Sequence, residues 1–268
     1  MFYDKESDFE DDLVAVLKRH GWTDGVLEYP TEQDLIDNWA SILFDNNKGI
    51  DRLNGQRLTK GEMAQILEQI ETLRTPLALN SFINGKTVSI KRDNPRDEAH
   101  YGKEISLKIY DRQEIAAGQS RYQIARQPIY PAKNKMLNDR RGDVCLLING
   151  MPVIHIELKK SGIPISQATN QIAKYAHEGV FTGLFRLVQV FVAMNPDDAV
   201  YFANPGEGDF NDDYFFHWAD YNNEPTAANK HVGQDEWKRF ASDLLSIPMA
   251  HQLIGFYTVA DSADGCLK

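Results

Sequence analysis

The fold is decided by the stretch RGDVCLLINGMPVIHIELKK, residues 141–160. Within it, Val144–Ile148 is a continuous apolar run, which is typical of a strand buried on both faces. Asn149 and Gly150 form a dipeptide that strongly indicates a hairpin turn. Apolar and polar residues then alternate over 153–159, as in a second strand. The stretch therefore predicts two neighbouring antiparallel strands.

The second of these strands carries polar side chains on one face. Because side chains alternate across a strand, His155, Glu157 and Lys159 point to the same side. A regular two-residue turn would place Asp143 opposite Ile156, on the other side of the sheet, whereas an odd-numbered loop or a β-bulge would place it opposite Glu157. We predict the odd loop or the bulge; a regular hairpin would remove the proposed site.

Two carboxylates and a lysine at one edge of a sheet suit the hydrolysis of a phosphodiester bond. Carboxylate oxygens bind Mg²⁺, which activates a water molecule and neutralises charge in the transition state. A lysine can orient the water or stabilise the charge that develops on the phosphate. The strand pair therefore indicates a candidate nuclease site formed by Asp143, Glu157 and Lys159.

The order of these residues resembles a known nuclease motif. Asp143, followed after a hairpin by Glu157-Leu158-Lys159, resembles the PD-(D/E)XK motif, with Gly142 where that motif often has proline. In the next predicted helix, Gln171 and Tyr175 are four residues apart and share a face. This pair is similar to the Q-x-x-x-Y motif of type I restriction subunits and their helicase-nuclease relatives.

Further segments extend the resemblance over most of the chain. Together they are similar to the N-terminal endonuclease domain of the restriction (R, motor) subunit of type I restriction–modification enzymes. The segments are Glu6-Ser7-Asp8-Phe9-Glu10 with Leu13, Leu17 and Gly21; Ile148-Asn149-Gly150-Met151-Pro152; Ile156-Glu157-Leu158-Lys159-Lys160-Ser161-Gly162; and Tyr201-Phe202-Ala203-Asn204.

The resemblance implies roles for particular residues. It implies that Asp143, Glu157 and Lys159 are catalytic and that the two acids bind Mg²⁺. In some relatives a glutamate of the N-terminal helix joins the site; Glu10 is the first candidate here and Glu6 the second. The resemblance further implies that four other residues support cleavage or bind DNA, namely Gln171, Tyr175, Arg141 and Lys160.

The resemblance also implies a fold and an activity. The fold is the PD-(D/E)XK restriction-endonuclease-like α/β fold, a mixed central sheet flanked by helices, with a mostly helical N-terminal segment. The activity is Mg²⁺-dependent cleavage of unmodified double-stranded DNA after ATP-driven translocation by motor domains outside this chain. The implied partners are double-stranded DNA and the methyltransferase (M) and specificity (S) subunits, and ATP is needed only by the translocase.

The expected organisation is one endonuclease domain over residues 1–260, with a nuclease core at about 120–203. Residues 261–268 are then the start of a linker to a translocase, so we expect the chain to be a fragment of a longer subunit. A stand-alone nuclease of the same superfamily is one alternative. A catalytically idle nuclease-fold module, which binds DNA or couples motor and nuclease mechanically, is another.

Periodicity predicts the remaining elements. A helical spacing of apolar residues, with capping signals, alternates with runs of period two. The predicted helices are Ser7–His20, Thr31–Asn46, Met63–Leu73, Ser166–Glu178 and Gln234–Leu245. The predicted strands are Thr87–Arg92, Ile105–Tyr110, Tyr122–Tyr130, Leu187–Met194, Ala199–Ala203 and Tyr214–Ala219.

The charge is distributed unevenly along the chain. Its 268 residues carry a formal net charge of −10, which predicts weak unaided affinity for DNA. Residues 1–50 contain 4 basic and 12 acidic residues, whereas residues 121–160 contain 8 basic and 3 acidic ones. A surface that faces DNA is therefore expected in the central window.

The composition excludes several other classes of protein. Hydrophobic residues make up 42% and charged residues 25%, which is ordinary for a globular domain. Two cysteines, Cys145 and Cys266, cannot build a disulfide framework or a cysteine-based zinc or iron–sulfur site. The acidic N-terminus is unlike a signal peptide, and no apolar run reaches transmembrane length. We expect a cytoplasmic protein without a membrane partner.

Overall fold

Helices dominate the first third of the chain and strands the middle. The computed structural model describes residues 1–50, 52–85, 87–109, 120–131, 138–206, 208–219 and 236–257. The strands are β1 Val26–Glu28, β2 Thr87–Lys91, β3 Glu104–Lys108, β4 Tyr122–Arg126, β5 Ile129–Tyr130, β6 Arg140–Arg141, β7 Val144–Ile148, β8 Met151–Leu158, β9 Val190–Met194 and β10 Ala199–Ala203. The α-helices are α1 Glu6–Arg19, α2 Glu32–Asn47, α3 Lys60–Thr72, α4 Pro76–Asn84, α5 Ser166–His177, α6 Glu236–Asp243 and α7 Ile247–Gln252.

A six-stranded mixed sheet forms the centre of the molecule. Its strand order is β1-β4-β7-β8-β9-β10. The pairs β1–β4 and β8–β9 are parallel, and the other neighbours are antiparallel. Two small antiparallel sheets, β2–β3 and β5–β6, lie apart from it. This arrangement confirms the predicted mixed α/β fold. Within the described ranges, every helix is too short or too polar to span a bilayer.

The two faces of the central sheet are covered by different helices. On one face, Ile154 and Ile156 of β8 join a large core that includes Phe9 of α1. On the other face, α5 packs against β9 through a second core cluster that contains Ile172 and Phe191. Because His155 pairs with Phe191 in parallel register, the polar face of β8 points toward α5.

The connection between β7 and β8 contains the bulge that the chemistry requires. Val144 pairs with Ile156, but Leu147 pairs with Pro152, so Val153 is an extra residue on β8. The turn at Asn149 is itself the two-residue type. The bulge shifts the register by one residue and brings Asp143 onto the face of Glu157, as predicted.

Several elements differ from the sequence-based prediction for local reasons. The strand predicted over Tyr122–Tyr130 breaks at Gln127, whose φ is 49°. Helix α4 is not among the predicted helices; it begins with Pro76 in its first turn, behind the cap at Thr75. The short strand β1 was also missed. Strand β9 starts at Val190, after a 3₁₀ helix at Gly183–Leu187. The strand predicted at Tyr214–Ala219 is reduced to isolated bridges, which follow a 3₁₀ helix at Asp212–Tyr214.

Helix α2 begins with a capping box whose contribution can be measured. The Thr31 hydroxyl accepts the Asp34 N–H, and the Asp34 carboxylate accepts the Thr31 N–H. We expect Thr31→Ala to lower the free energy of unfolding by about 1 kcal/mol, measured by urea denaturation. Thr31→Ser keeps the hydroxyl and should lose much less; equal losses in the two variants would contradict the assignment of this cap.

Candidate active site

Glu157 lies at the centre of a buried polar cluster between β8 and α5. Its Oε1 atom accepts a hydrogen bond from the Gln171 side-chain amide. Its Oε2 atom lies 3.3 Å from Nε2 of His155, and Nζ of Lys159 lies 3.7 Å from Oε1. Burial raises the pKa of Glu157 to about 8. Both carboxylate oxygens are therefore fixed in position by side chains of the cluster.

Asp143 lies beside Glu157 at the start of β7. Its Oδ2 atom accepts the backbone N–H of Leu158 at 2.7 Å, which joins the carboxylate to the strand that carries Glu157. Burial and the neighbouring charge of Glu157 raise the pKa of Asp143 well above its usual value. The structure thus brings together the two acids that the sequence predicted to share a face.

Lys159 follows Glu157 on the same strand face and is almost completely buried. Its ammonium donates to the backbone oxygen of Leu158 at 2.7 Å. It also lies 3.8 Å from the carboxylate of Glu6 on α1. The ammonium is therefore placed between the acids of β8 and the N-terminal helix.

Helix α5 contributes two side chains that the Q-x-x-x-Y pattern predicted. The amide nitrogen of Gln171 donates to Glu157 and also to the Tyr175 hydroxyl at 2.8 Å. That hydroxyl in turn donates to the backbone oxygen of Arg141 at 3.0 Å. Burial raises the pKa of Tyr175 to about 12, so the hydroxyl keeps its proton. The pair connects the carboxylate of Glu157 to the strand β6.

Both N-terminal glutamates lie near the cluster, with different partners. Glu10 is buried, forms an ion pair with Arg126 and accepts from the Gln127 amide at 3.1 Å. Its charge contributes to the raised pKa of Asp143. Glu6 is more exposed and faces Lys159. The sequence could not separate the two, because both lie on one face of α1.

The central basic window is only partly a positive surface. Arg126 pairs with Glu10 of α1, and Arg140 pairs with Glu178 at 2.7 Å. The exposed members include Arg141 and Lys160 at the rim of the site; Lys133 and Lys135 lie outside the described residues. The excess of basic residues in the linear window is therefore reduced in three dimensions by acids from other segments.

Two residues near the site were not singled out by the sequence, one at its rim and one in the core. Tyr29 is half exposed, has a φ of 53°, and lies with its ring 5.4 Å below the guanidinium of Arg141. Tyr130 is fully buried and reaches His155 from β5. Tyr130 points inward because the strand breaks at Gln127. The sequence contains no clear signal for this break other than Pro128.

The donor set of the cluster fits a hard divalent cation. Among the described residues, no three His, Cys, Asp or Glu side chains gather as a preformed metal cage. Asp143 and Glu157 instead supply two close carboxylates, and burial disfavours their charged forms despite the nearby ammonium of Lys159. Mg²⁺ commonly binds through one or two carboxylates and keeps several waters. Two such acids therefore suffice for it.

Comparison with known proteins gives a consistent result. A family model described as "Type I restriction enzyme R protein N terminus" matches residues 6–210. The endonuclease subunit of the type I restriction enzyme SsaAORF53P from Staphylococcus saprophyticus is 33% identical over 227 residues, covering 83% of this chain and 22% of the relative. The SauCOLORF180P subunit from Staphylococcus aureus is 29% identical over 223 residues, with 83% and 22% covered. The EcoprrI endonuclease subunit from Escherichia coli is 30% identical over 218 residues, with 75% and 65% covered. The chain thus spans about a fifth of the length of the staphylococcal relatives.

Proposed function

The chain belongs to the family of type I restriction enzyme R protein N termini, and we propose that it hydrolyses phosphodiester bonds of double-stranded DNA at the cluster around Glu157. The observation that carries the proposal is the convergence of Asp143, Glu157 and Lys159 across the bulged β7–β8 hairpin. Burial raises the pKa values of both acids, and raised pKa values of this kind are often found at catalytic sites.

Each side chain of the cluster has a task in this reaction. Asp143 and Glu157 would hold Mg²⁺, with Glu10 as a third candidate, and the bound ion supplies a Lewis acid and an activated water. Lys159 presents an ammonium beside Glu157, where it can stabilise negative charge on a phosphate. Gln171 orients the carboxylate of Glu157. Tyr175 keeps Gln171 in place.

DNA binding by this domain is proposed to depend on the rest of an R subunit. Arg141 and Lys160 are the candidate phosphate contacts at the rim of the site. The net charge of −10 predicts that the domain binds DNA weakly by itself. We therefore propose delivery to unmodified DNA by ATP-driven translocase domains, together with methyltransferase and specificity subunits. In this organisation the endonuclease domain covers residues 1–260 and a linker starts at 261–268, which lie outside the described residues.

The proposal is tested with the full-length subunit assembled with its methyltransferase and specificity partners. In the presence of Mg²⁺ and ATP, we expect an unmodified supercoiled plasmid to be cut and a methylated one to remain intact. Cleavage of both plasmids at the same rate, without a requirement for ATP, would instead favour a stand-alone nuclease.

The contacts of Tyr175 distinguish support of the site from DNA binding. Tyr175→Phe removes the hydroxyl that contacts Gln171 and the Arg141 carbonyl. We expect cleavage to be about 10-fold slower, the low end of the loss that follows removal of a residue that supports a metal ligand. The affinity for DNA should be unchanged, because Tyr175 is mostly buried. Plasmid cleavage and a DNA-binding titration measure the two quantities. A weaker DNA affinity with unchanged cleavage of bound DNA would contradict this role.

A further inference from the structure

The strand face that carries Glu157 also carries a histidine that the proposed hydrolysis does not use. His155 is fully buried. Its Nδ1 atom lies 2.8 Å from the hydroxyl oxygen of Tyr130, and its Nε2 atom lies 3.3 Å from Oε2 of Glu157. The rings of Phe181 and Phe191 pack against the imidazole. Tyr130, His155 and Glu157 thus form a continuous hydrogen-bonded chain in an apolar environment.

The direction of these hydrogen bonds follows from the chemistry of the three groups. A neutral imidazole has one N–H and one lone pair, and burial favours the neutral form of His155. Once Glu157 is ionised, as metal binding requires, its carboxylate only accepts, so the N–H then lies on Nε2 and points to Glu157. Nδ1 then accepts, and the Tyr130 hydroxyl donates to it. The opposite tautomer would place the ring lone pair against the carboxylate of Glu157.

Gly142 makes room for this pair. A Cβ atom at residue 142 would lie 2.7 Å from Cε1 of His155 and 2.8 Å from the hydroxyl oxygen of Tyr130. The Gly142 N–H also donates to the backbone oxygen of Pro128, a bond that a proline could not make. The glycine that stands where the nuclease motif often has proline is therefore matched to the tyrosine and histidine packed against it.

We propose that Tyr130 and His155 form a positioning pair that fixes the carboxylate of Glu157 for metal binding, and that Gly142 provides the space for it. The proposal rests on the proposed function. Gln171 holds Oε1 of Glu157 and His155 holds Oε2, so the two oxygens are fixed from different elements. Both members of the pair are completely buried, so they act through Glu157 and do not touch DNA.

Three variants of the 268-residue chain test the pair through its affinity for Mn²⁺, measured by titration calorimetry. His155→Leu removes the donor to Glu157, and Tyr130→Phe removes the hydroxyl that selects the tautomer. We expect each to weaken Mn²⁺ binding about 10-fold or more, as loss of an outer-shell partner commonly does. His155→Gln restores an N–H near the position of Nε2 and should recover most of the affinity.

A second Tyr–His contact in the same chain provides the matched control. The Tyr122 hydroxyl lies 3.0 Å from Nε2 of His251, at the end of β4 that pairs with Ile148 rather than with Val144 beside the carboxylates. Tyr122→Phe therefore removes a comparable contact far from Glu157. We expect its Mn²⁺ affinity to equal that of the unmodified chain.

The tautomer of His155 is a readout that does not depend on metal or activity. In alkaline solution, where Glu157 is ionised, we expect ¹⁵N spectra of the ring to show the proton on Nε2. A proton on Nδ1, or equal Mn²⁺ affinities of His155→Leu, Tyr130→Phe and the unmodified chain, would overturn the positioning pair. In the assembled enzyme, cleavage by Glu157→Ala at the unmodified rate would contradict the proposed function itself. A loss of affinity in Glu157→Ala without a loss in His155→Leu would contradict the pair alone.

Discussion

Replacing Asp143 by asparagine is expected to slow DNA cleavage by the assembled enzyme roughly 10³-fold or more, the scale of losing a central catalytic group. Asparagine keeps the acceptor for the Leu158 N–H but lacks the charge that would hold a divalent cation. Glu157→Ala is expected to have a similar effect. Lys159→Ala should cost roughly 10²–10³-fold, as for loss of one group that stabilises charge in the transition state. The rate of nicking of an unmodified plasmid measures all three losses.

These losses should be confined to the chemical step. The ATP hydrolysis that accompanies translocation is expected to be unchanged in each variant, since none of the three residues belongs to a motor domain. The thermal stability of Asp143→Asn should not fall, because burial already disfavours the charged form of this side chain and raises its pKa. Glu68→Gln, which changes an exposed carboxylate of α3, is the control and should cut normally. Normal cutting by the Asp143 and Glu157 variants would refute the assignment and favour the catalytically idle module.

Whether the β7–β8 hairpin contains an even or an odd number of residues between Asp143 and Glu157 decides whether the two acids share a face. This dependence shows how far the sequence could predict the site. Alternation places His155, Glu157 and Lys159 on one face without any tertiary information. The position of Asp143 relative to them depends on one extra residue, and the Asn149–Gly150 dipeptide by itself favours the wrong register. The bulge at Val153 could be predicted only because the chemistry requires two carboxylates on one face.

Other features depend on contacts between distant segments, which a local pattern does not contain. The strand predicted through Gln127 breaks because that residue adopts a positive φ, and the break aims Tyr130 at His155. Arg126 looked like part of a DNA-facing surface, yet Glu10 neutralises it from another element. Charge in a linear window predicts a surface potential only where the folded chain brings no opposite charge to it.

The same limit applies to Arg92, which the sequence predicted only as the end of a strand. In the structure its guanidinium is completely buried and donates to Glu62 at 2.6 Å and to Asp97 at 2.8 Å. It also donates to the backbone oxygen of Gln56 at 2.7 Å. Glu62 also belongs to the capping box of α3, where its carboxylate accepts the Thr59 N–H. One arginine thus joins a helix start to the loop after β2.

Arg92→Ala is therefore expected to lower the free energy of unfolding by about 3–5 kcal/mol, the usual cost of removing one partner from a buried ion pair. The loss is large because Glu62 and Asp97 would remain buried without their cation, and burying an unpaired charge is costly. Urea denaturation of the variant measures it. Arg96→Ala, at an exposed position in the same loop, should change stability by less than about 0.5 kcal/mol.

Because Arg92 lies in the layer of α3 and β2 rather than beside Glu157, the folded fraction of Arg92→Ala should still bind Mn²⁺ with unchanged affinity. A loss of metal binding in that fraction would show that this layer and the carboxylate cluster are coupled.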